Sequence, residues 1–390
     1  MSEQLEITIV GAGVIGTAVA HQLARQGREV FVIEKNPGVT QGENQSSRNS
    51  GVIHAGLYYD KDSRPLKARL CAAGNKLLYE FCKRYDLPHL ACGKLVVATK
   101  QEDVPAMELY EARALNNGVP CEKISGQAAR DREPLVNALA ALWLPTSGII
   151  DPTAYLHQLY ALASKDGAEF MTQTEVIAAQ PGPEGIEITL RYRDGATDTF
   201  LTKRLINCAG LYSDDLARLV NPDSPYSIDP MRGEAACFYR SKRPELGLGD
   251  LNVYPTPYQV HMPGGTYWTV GVHLTPTLEP VPGGGSQPGS TITVGPLNRA
   301  AKDKEDYGGE HRPMEEFHSQ VASFFPGLKP DDLKPYQAGI QARLSGHQDW
   351  VLEFDAKHPA CLNLLGFDSP GLTGSLAIAQ EVRELLDQQA

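Results

Sequence analysis

Gly11, Gly13 and Gly16, followed by Glu34, have the spacing that holds the phosphates and ribose of a dinucleotide. The glycines lie where an apolar strand, residues 7–10, runs into a helix. The first permits a tight turn, the second lets the backbone approach a pyrophosphate, and the third allows helix and strand to pack closely. Val14 and Ile15 open the helix, whose free N–H groups and dipole favour an anion. Glu34 ends a second strand, residues 30–33. An acceptor-only carboxylate there suits two ribose hydroxyls and repels a 2′-phosphate. Three glycines at this spacing arise by chance in a glycine-rich chain; the strand–helix–strand frame and an acid about 20 residues on make the signal specific. It serves FAD and NAD equally.

The elements that must position these groups follow from the pattern of apolar residues. Helical spacing predicts helices over 65–86, 101–117 and 151–167, the last capped by Asp151. Strands are expected at 93–99, 174–179, 185–192, 198–202 and 204–208, with extended structure over 141–150. Residues 36–60 read as loop with a short helix, 228–335 as mostly β, and 280–296 as a long loop or loop plus strand. Two further strand–glycine–helix junctions fall at 208–214 and 365–374. Three such junctions spread along the chain fit one nucleotide-binding unit assembled from separate segments, with a mainly β unit inserted between them. FAD is long enough to be touched from several strand ends. The expected FAD-binding domain comprises 1–88, 145–220 and 336–390, and the substrate domain 89–144 and 221–335.

At 390 residues two domains are the default. A net charge of -11 argues against nucleic acid as a partner, because no basic face replaces phosphate counterions. No apolar run approaches the ~20 residues of a membrane span. The first strand begins by about residue 6, leaving no room for a signal peptide, so a cytoplasmic location is expected, with peripheral membrane contact as an alternative. The seven cysteines are scattered, without CxxC or zinc spacing, and read as reduced buried thiols; no metal site is expected.

The segment SSRNSGVIHAGLYY (46–59) narrows the chemistry. Together with GKLVVAT (93–99), INCAGLYSDDLA (206–217), MRGE (231–234), VGVHLTP (270–276) and LLGFDSPGLTGSLAIA (364–379), it resembles the L-2-hydroxyglutarate dehydrogenase/oxidase family. These are FAD enzymes of the D-amino-acid-oxidase-like superfamily, which also holds glycerol-3-phosphate dehydrogenases and glycine or sarcosine oxidases. The resemblance implies an α/β fold: a Rossmann-like FAD domain of the glutathione-reductase type, built from discontinuous segments, carrying an inserted, mainly antiparallel β substrate domain. It places Gly11, Gly13, Gly16, Glu34 and Lys35 at the AMP half, and Ser47, Arg48, Asn49, Ser50 and Gly51 along the pyrophosphate and flavin. Val176 would meet adenine through its backbone, and Ala209 and Gly210 would pass close to the ribityl chain. A helix beginning at Gly371, Leu372 and Thr373 would aim N–H groups at the flavin N1–C2=O edge, stabilising negative charge there. FAD is expected to be non-covalent, with a bond to His54 as the alternative.

Oxidation of a 2-hydroxy acid removes the hydroxyl proton while the Cα hydride moves to flavin N5. It needs a base and donors for the carboxylate. His54, beside the flavin loop, is the expected base or flavin-adjacent residue; His273 is the second candidate, binding substrate or acting as base. A hydrogen-bonded structural histidine is the plain alternative for each. Tyr58, Arg232 and Arg343 are weaker candidates for substrate contact. Many family members read Gly-Ile-Arg where this chain has Gly339-Ile340-Gln341. Glutamine lacks the charge and bidentate fork of arginine. Arg343, two residues on, shares its face only if the segment is extended.

The leading expectation is therefore FAD-dependent oxidation of an L-2-hydroxy acid, L-2-hydroxyglutarate foremost, with oxygen, a quinone or an electron-transfer protein as acceptor. The alternatives are an amine or amino-acid oxidase, a glycerol-3-phosphate-type dehydrogenase, and a flavin-binding protein without turnover.

Overall fold

A computed structural model describes residues 4–246, 250–262, 265–282 and 284–389. Its first sheet has five parallel strands in the order Cys361–Leu365, Thr197–Asn207, Gln4–Val10, Val30–Ile33 and Glu169–Met171. Val351–Phe354 extends it antiparallel to Cys361–Leu365. Thr174–Gly182 and Gly185–Tyr192 form a hairpin on the first half of Thr197–Asn207. Three helices, Val14–Ala24, Pro152–Lys165 and Gly371–Asp387, bury apolar faces in one core with Ile7, Ile9, Val32 and Leu364. Gly74, in the helix Pro65–Arg84, lets that helix lie against Gly371–Asp387, since a methyl at Gly74 would come within 2.3 Å of the Thr373 carbonyl oxygen.

The second sheet also has eight strands, ordered Lys334–Leu344, Ile228–Tyr239, Ser286–Ala300, His273–Pro280, Asn252–Pro255, Lys94–Ala98, Ala140–Leu144 and Glu122–Ser125. All neighbours are antiparallel except Asn252–Pro255 with Lys94–Ala98. Its faces follow the two-residue period of strands. Leu95, Val97, Val253 and Leu274 pack under Phe317 of the helix Met314–Val321. Val96, Ala98 and Tyr254 face the other way, against Tyr58, Tyr59 and Cys71.

The sheets correct two expectations. The boundary expected at 336 falls inside Lys334–Leu344, which pairs along its length with Ile228–Tyr239; the last segment rejoins the first sheet only at Val351. No helix forms within 36–60, where Asn44 and Asn49 side chains accept the Ser47 and Gly51 amides and so compete with helical hydrogen bonding. Only the short strand Val52–Ile53 lies there, paired with Gly148–Ile150.

Candidate active site

Residues from both sheets line a cleft of about 1100 Å³, larger than the roughly 300–1,000 Å³ of ordinary ligand pockets. At one end are Gly11, Gly13, Val14, Ile15, Glu34 and Lys35. Gly11 has φ +103°, and a methyl there would meet the Cys208 carbonyl oxygen at 2.3 Å; one at Gly16 would sit 1.9 Å from the Gly11 oxygen. Gly16 thus packs behind the cleft rather than lining it. Ala12 N–H donates to Glu34 Oε2 and Asn36 N–H to Oε1, both at 2.8 Å, which fixes the carboxylate across the turn. Val14 N–H donates to Ser46 Oγ at 2.8 Å. Lys35 pairs with Glu305 at 3.1 Å and lies 3.6 Å over the Tyr212 ring, so the second sheet's connection reaches over this end.

Val176 lines the cleft just before a register shift between Val176 and Ala178, which releases its backbone from regular pairing. Ala209, Gly210, Arg48, Asn49 and Ser50 line the middle. Arg48 is held by Glu43 through two bonds of 2.6 and 2.7 Å. Ser47 and Gly51 are outside the lining: Ser47 closes its own loop on Asn44, and Gly51, at φ +66°, packs where a methyl would reach the Ile150 oxygen at 2.4 Å. The helix Gly371–Asp387 points its start at the cleft. The Gly371 and Gly374 amides bond to Asp368 and Pro370 carbonyls, leaving those of Leu372 and Thr373 as the open ends of the first turn. Thr373 is buried, and its hydroxyl accepts the His54 N–H at 3.0 Å, pinning His54 to that helix start. A cradle that tolerates no Cβ, two helix starts and an acid placed for ribose fit an adenine–flavin dinucleotide.

His54, Tyr58, Tyr254 and His273 form the far corner. His54 Nε2 meets Ser369 Oγ at 3.2 Å, and Nδ1 is buried without a partner. Burial, then the charges of Lys94 and His273, holds His54 well below the usual histidine range. His273 Nδ1 lies 3.1 Å from the Gly271 carbonyl, which can only accept. The proton is therefore on Nδ1, and buried, unpartnered Nε2 keeps its lone pair. Burial, with Lys94 adding to it, lowers His273 to about 3. The Tyr58 hydroxyl is buried and unpartnered, with burial raising its pKa well above the usual value, so it is a neutral donor.

Arg232 leaves the set of substrate contacts. It is fully buried outside the cleft lining, where it bonds Glu234 at 3.0 Å and Asp306, and Arg299 shares both carboxylates. Arg343 and Gln341 both line the cleft. Their strand is extended, so residues 337, 339, 341 and 343 alternate with buried Ala338, Ile340, Ala342 and Leu344.

Three residues of this corner carried no signal read from the sequence. Lys94 starts a strand, which suggests exposure, yet its Nζ lies 3.7 Å over the Tyr254 ring, and burial lowers it to about 7. Ser369 meets His54, and Arg64 lines the cleft beside Tyr58 and Tyr59. Among the described residues no group of three or more His, Cys, Asp or Glu is arranged for a metal, and no helix is long and apolar enough to cross a membrane.

Residues 6–385 match the FAD dependent oxidoreductase (DAO) family. The chain is 35% identical to the mitochondrial L-2-hydroxyglutarate dehydrogenase of Caenorhabditis briggsae, over 97% of this chain and 92% of that protein. It is 29% identical to the Arabidopsis thaliana mitochondrial enzyme of the same name, over 97% and 83%. Among solved structures, the FAD-bound L-alpha-glycerophosphate oxidase of Mycoplasma pneumoniae superposes with a TM-score of 0.83 at 25% identity, covering 99% of this chain and 95% of that one. Glycine oxidase from Geobacillus kaustophilus shares the fold, with a TM-score of 0.78 at 18% identity over 99% and 95%. The cleft is thus a flavin site, and the chain belongs to the FAD dependent oxidoreductases and, among them, to the L-2-hydroxyglutarate dehydrogenase family.

Proposed function

We propose that this protein oxidises L-2-hydroxyglutarate to 2-oxoglutarate, with His273 Nε2 accepting the hydroxyl proton. The observation that carries the assignment is the Gly271 carbonyl on Nδ1, which leaves a lone pair on a buried, cleft-lining nitrogen. Bound FAD supplies the acceptor for the hydride leaving Cα. His54 takes the adjoining position: its backbone is fixed by Thr373, and its ring stands ready to hold the substrate oxygen. Tyr58 donates to the same group or to the neighbouring carboxylate. Low water access keeps both imidazoles neutral until an anionic substrate arrives and raises their basicity.

The relatives named L-2-hydroxyglutarate dehydrogenase support this choice of substrate. Likeness to a glycerophosphate oxidase makes glycerol 3-phosphate the second candidate. Anaerobic titration with L- and D-2-hydroxyglutarate, lactate, malate, glycerol 3-phosphate, glycine and sarcosine tests the reading through loss of the oxidised flavin band. Bleaching by L-2-hydroxyglutarate alone, or fastest, is expected. Bleaching by an amine or by glycerol 3-phosphate but no hydroxy acid would overturn it.

A further inference from the structure

We propose that Arg64 selects a substrate bearing a second carboxylate, by pairing with the distal carboxylate of a 2-hydroxydicarboxylic acid; this rests on the hydroxy-acid reading above. Most other cations lining the cleft are already matched. Lys35 pairs with Glu305, Arg48 with Glu43, Arg191 with Glu175, and Arg218 with Asp214 and Asp215. Arg64 forms no ion pair within 4.0 Å among the described residues, and its Nε is buried without a hydrogen bond. A guanidinium N–H withdrawn from water and left unpaired costs free energy that an entering carboxylate recovers.

The backbone explains why this side chain stays at the cleft. Arg64 precedes the helix Pro65–Arg84; its N–H donates to the Asp60 carbonyl at 2.8 Å and its carbonyl accepts from Ala68 at 3.0 Å. Asp349 accepts the Leu66 and Lys67 amides at 2.7 and 3.0 Å, so the helix start needs no cap from Arg64. The guanidinium carbon is 5.9 Å from the Tyr59 ring centre. The Tyr59 hydroxyl in turn interacts with Ser369, whose Oγ meets His54 Nε2 at 3.2 Å. One tyrosine side chain therefore separates the cation from the catalytic corner. An extended five-carbon diacid, whose end carbons lie roughly 5 Å apart, carries its second carboxylate away from the reacting carbon. The wall of Tyr58, Tyr59 and Tyr110 accommodates the methylenes between them. Because residue 341 is an uncharged glutamine, a cation from elsewhere has to read the second charge.

The test uses FAD-loaded wild-type, Arg64→Ala, Arg64→Lys and Arg343→Gln proteins. Two readouts are needed: steady-state KM for L-2-hydroxyglutarate against L-2-hydroxybutyrate, and the dissociation constant of unreactive glutarate from its perturbation of the flavin spectrum. Arg64→Ala should raise both the KM for the dicarboxylate and the glutarate constant roughly 10- to 100-fold, and shift the KM for the monocarboxylate far less. Arg64→Lys should recover part of the loss. Equal losses for both substrates, or a selective loss in Arg343→Gln instead, would overturn the assignment while leaving hydroxy-acid oxidation standing. Failure of the wild-type protein to oxidise any hydroxy acid would overturn the underlying reading, and glutarate binding would then show separately whether Arg64 holds a carboxylate.

Discussion

His273 lies flat on Tyr254, with ring centroids 3.7 Å apart and planes 14° from parallel. Lys94 Nζ is 3.7 Å from the same tyrosine centroid. Two groups this close cannot share one face of the ring, so Tyr254 separates imidazole from amine. The stack holds the histidine rigid and brings a positive charge near it without a hydrogen bond that would occupy Nε2.

Lys94 makes stability depend on pH in a predictable direction. Its folded pKa is lowered from 10.5 to about 7. Between those values the unfolded chain binds more protons, so stability rises with pH through that window; below about 7 both states are protonated and the contribution is flat. The thermal midpoint of the wild-type protein relative to Lys94→Met should therefore climb between about pH 7 and pH 10. Using the difference cancels the opposing contribution of buried thiols away from Lys94, such as Cys82, whose pKa burial pushes up to about 12. A pH-independent difference would show that the amine titrates normally.

Replacing His273 with asparagine should slow anaerobic flavin reduction by L-2-hydroxyglutarate by about 10²–10⁴-fold, the usual worth of a positioned base. Substrate affinity should change much less. Stopped-flow traces decide this directly. Retained rate in His273→Asn, with loss in His54→Asn, would transfer the proton to His54.

Arg232→Ala should behave as a stability variant. The substitution leaves Glu234 and Asp306 buried with Arg299 as their shared partner, and breaking such a pair costs about 3–5 kcal/mol. Urea unfolding of the FAD-loaded protein should register that loss, while the KM of the surviving folded enzyme stays near wild type. A KM change without destabilisation would return Arg232 to the substrate contacts.

Gly11→Ala tests the cofactor cradle. The new methyl would collide with backbone at Cys208, and the φ of +103° disfavours any side chain. Purified variant should carry substoichiometric FAD, measured as the ratio of flavin to protein absorbance. Full loading would mean that the strand ends can separate.

The AMP end was legible in the chain because its signals are local: glycine spacing, a strand before, a strand and acid after. The three junctions also revealed that the domain is discontinuous. What could not be read depends on partners far away in sequence. Lys94 is buried by Tyr254 and Tyr58, and Arg232 is withdrawn by Asp306, contacts that no local window contains. The strand Lys334–Leu344 runs across the boundary expected at 336 because its membership is set by pairing with residues about a hundred positions earlier. Nothing in its local sequence marks Arg64; only Asp349, capping the following helix in its stead, frees it.

Because the flavin cleft draws on strands at Gln4–Val10, Thr197–Asn207 and Cys361–Leu365, translation order matters. The first glycine turn emerges from the ribosome long before the segment carrying Gly371, whose helix start lines the same cleft. A nascent chain can therefore form the opening strand–helix unit yet offer no finished seat for the isoalloxazine. Cofactor capture becomes a late checkpoint in biogenesis. Nonsense or frameshift lesions close to the final helix should yield flavin-poor protein as surely as damage to the first turn.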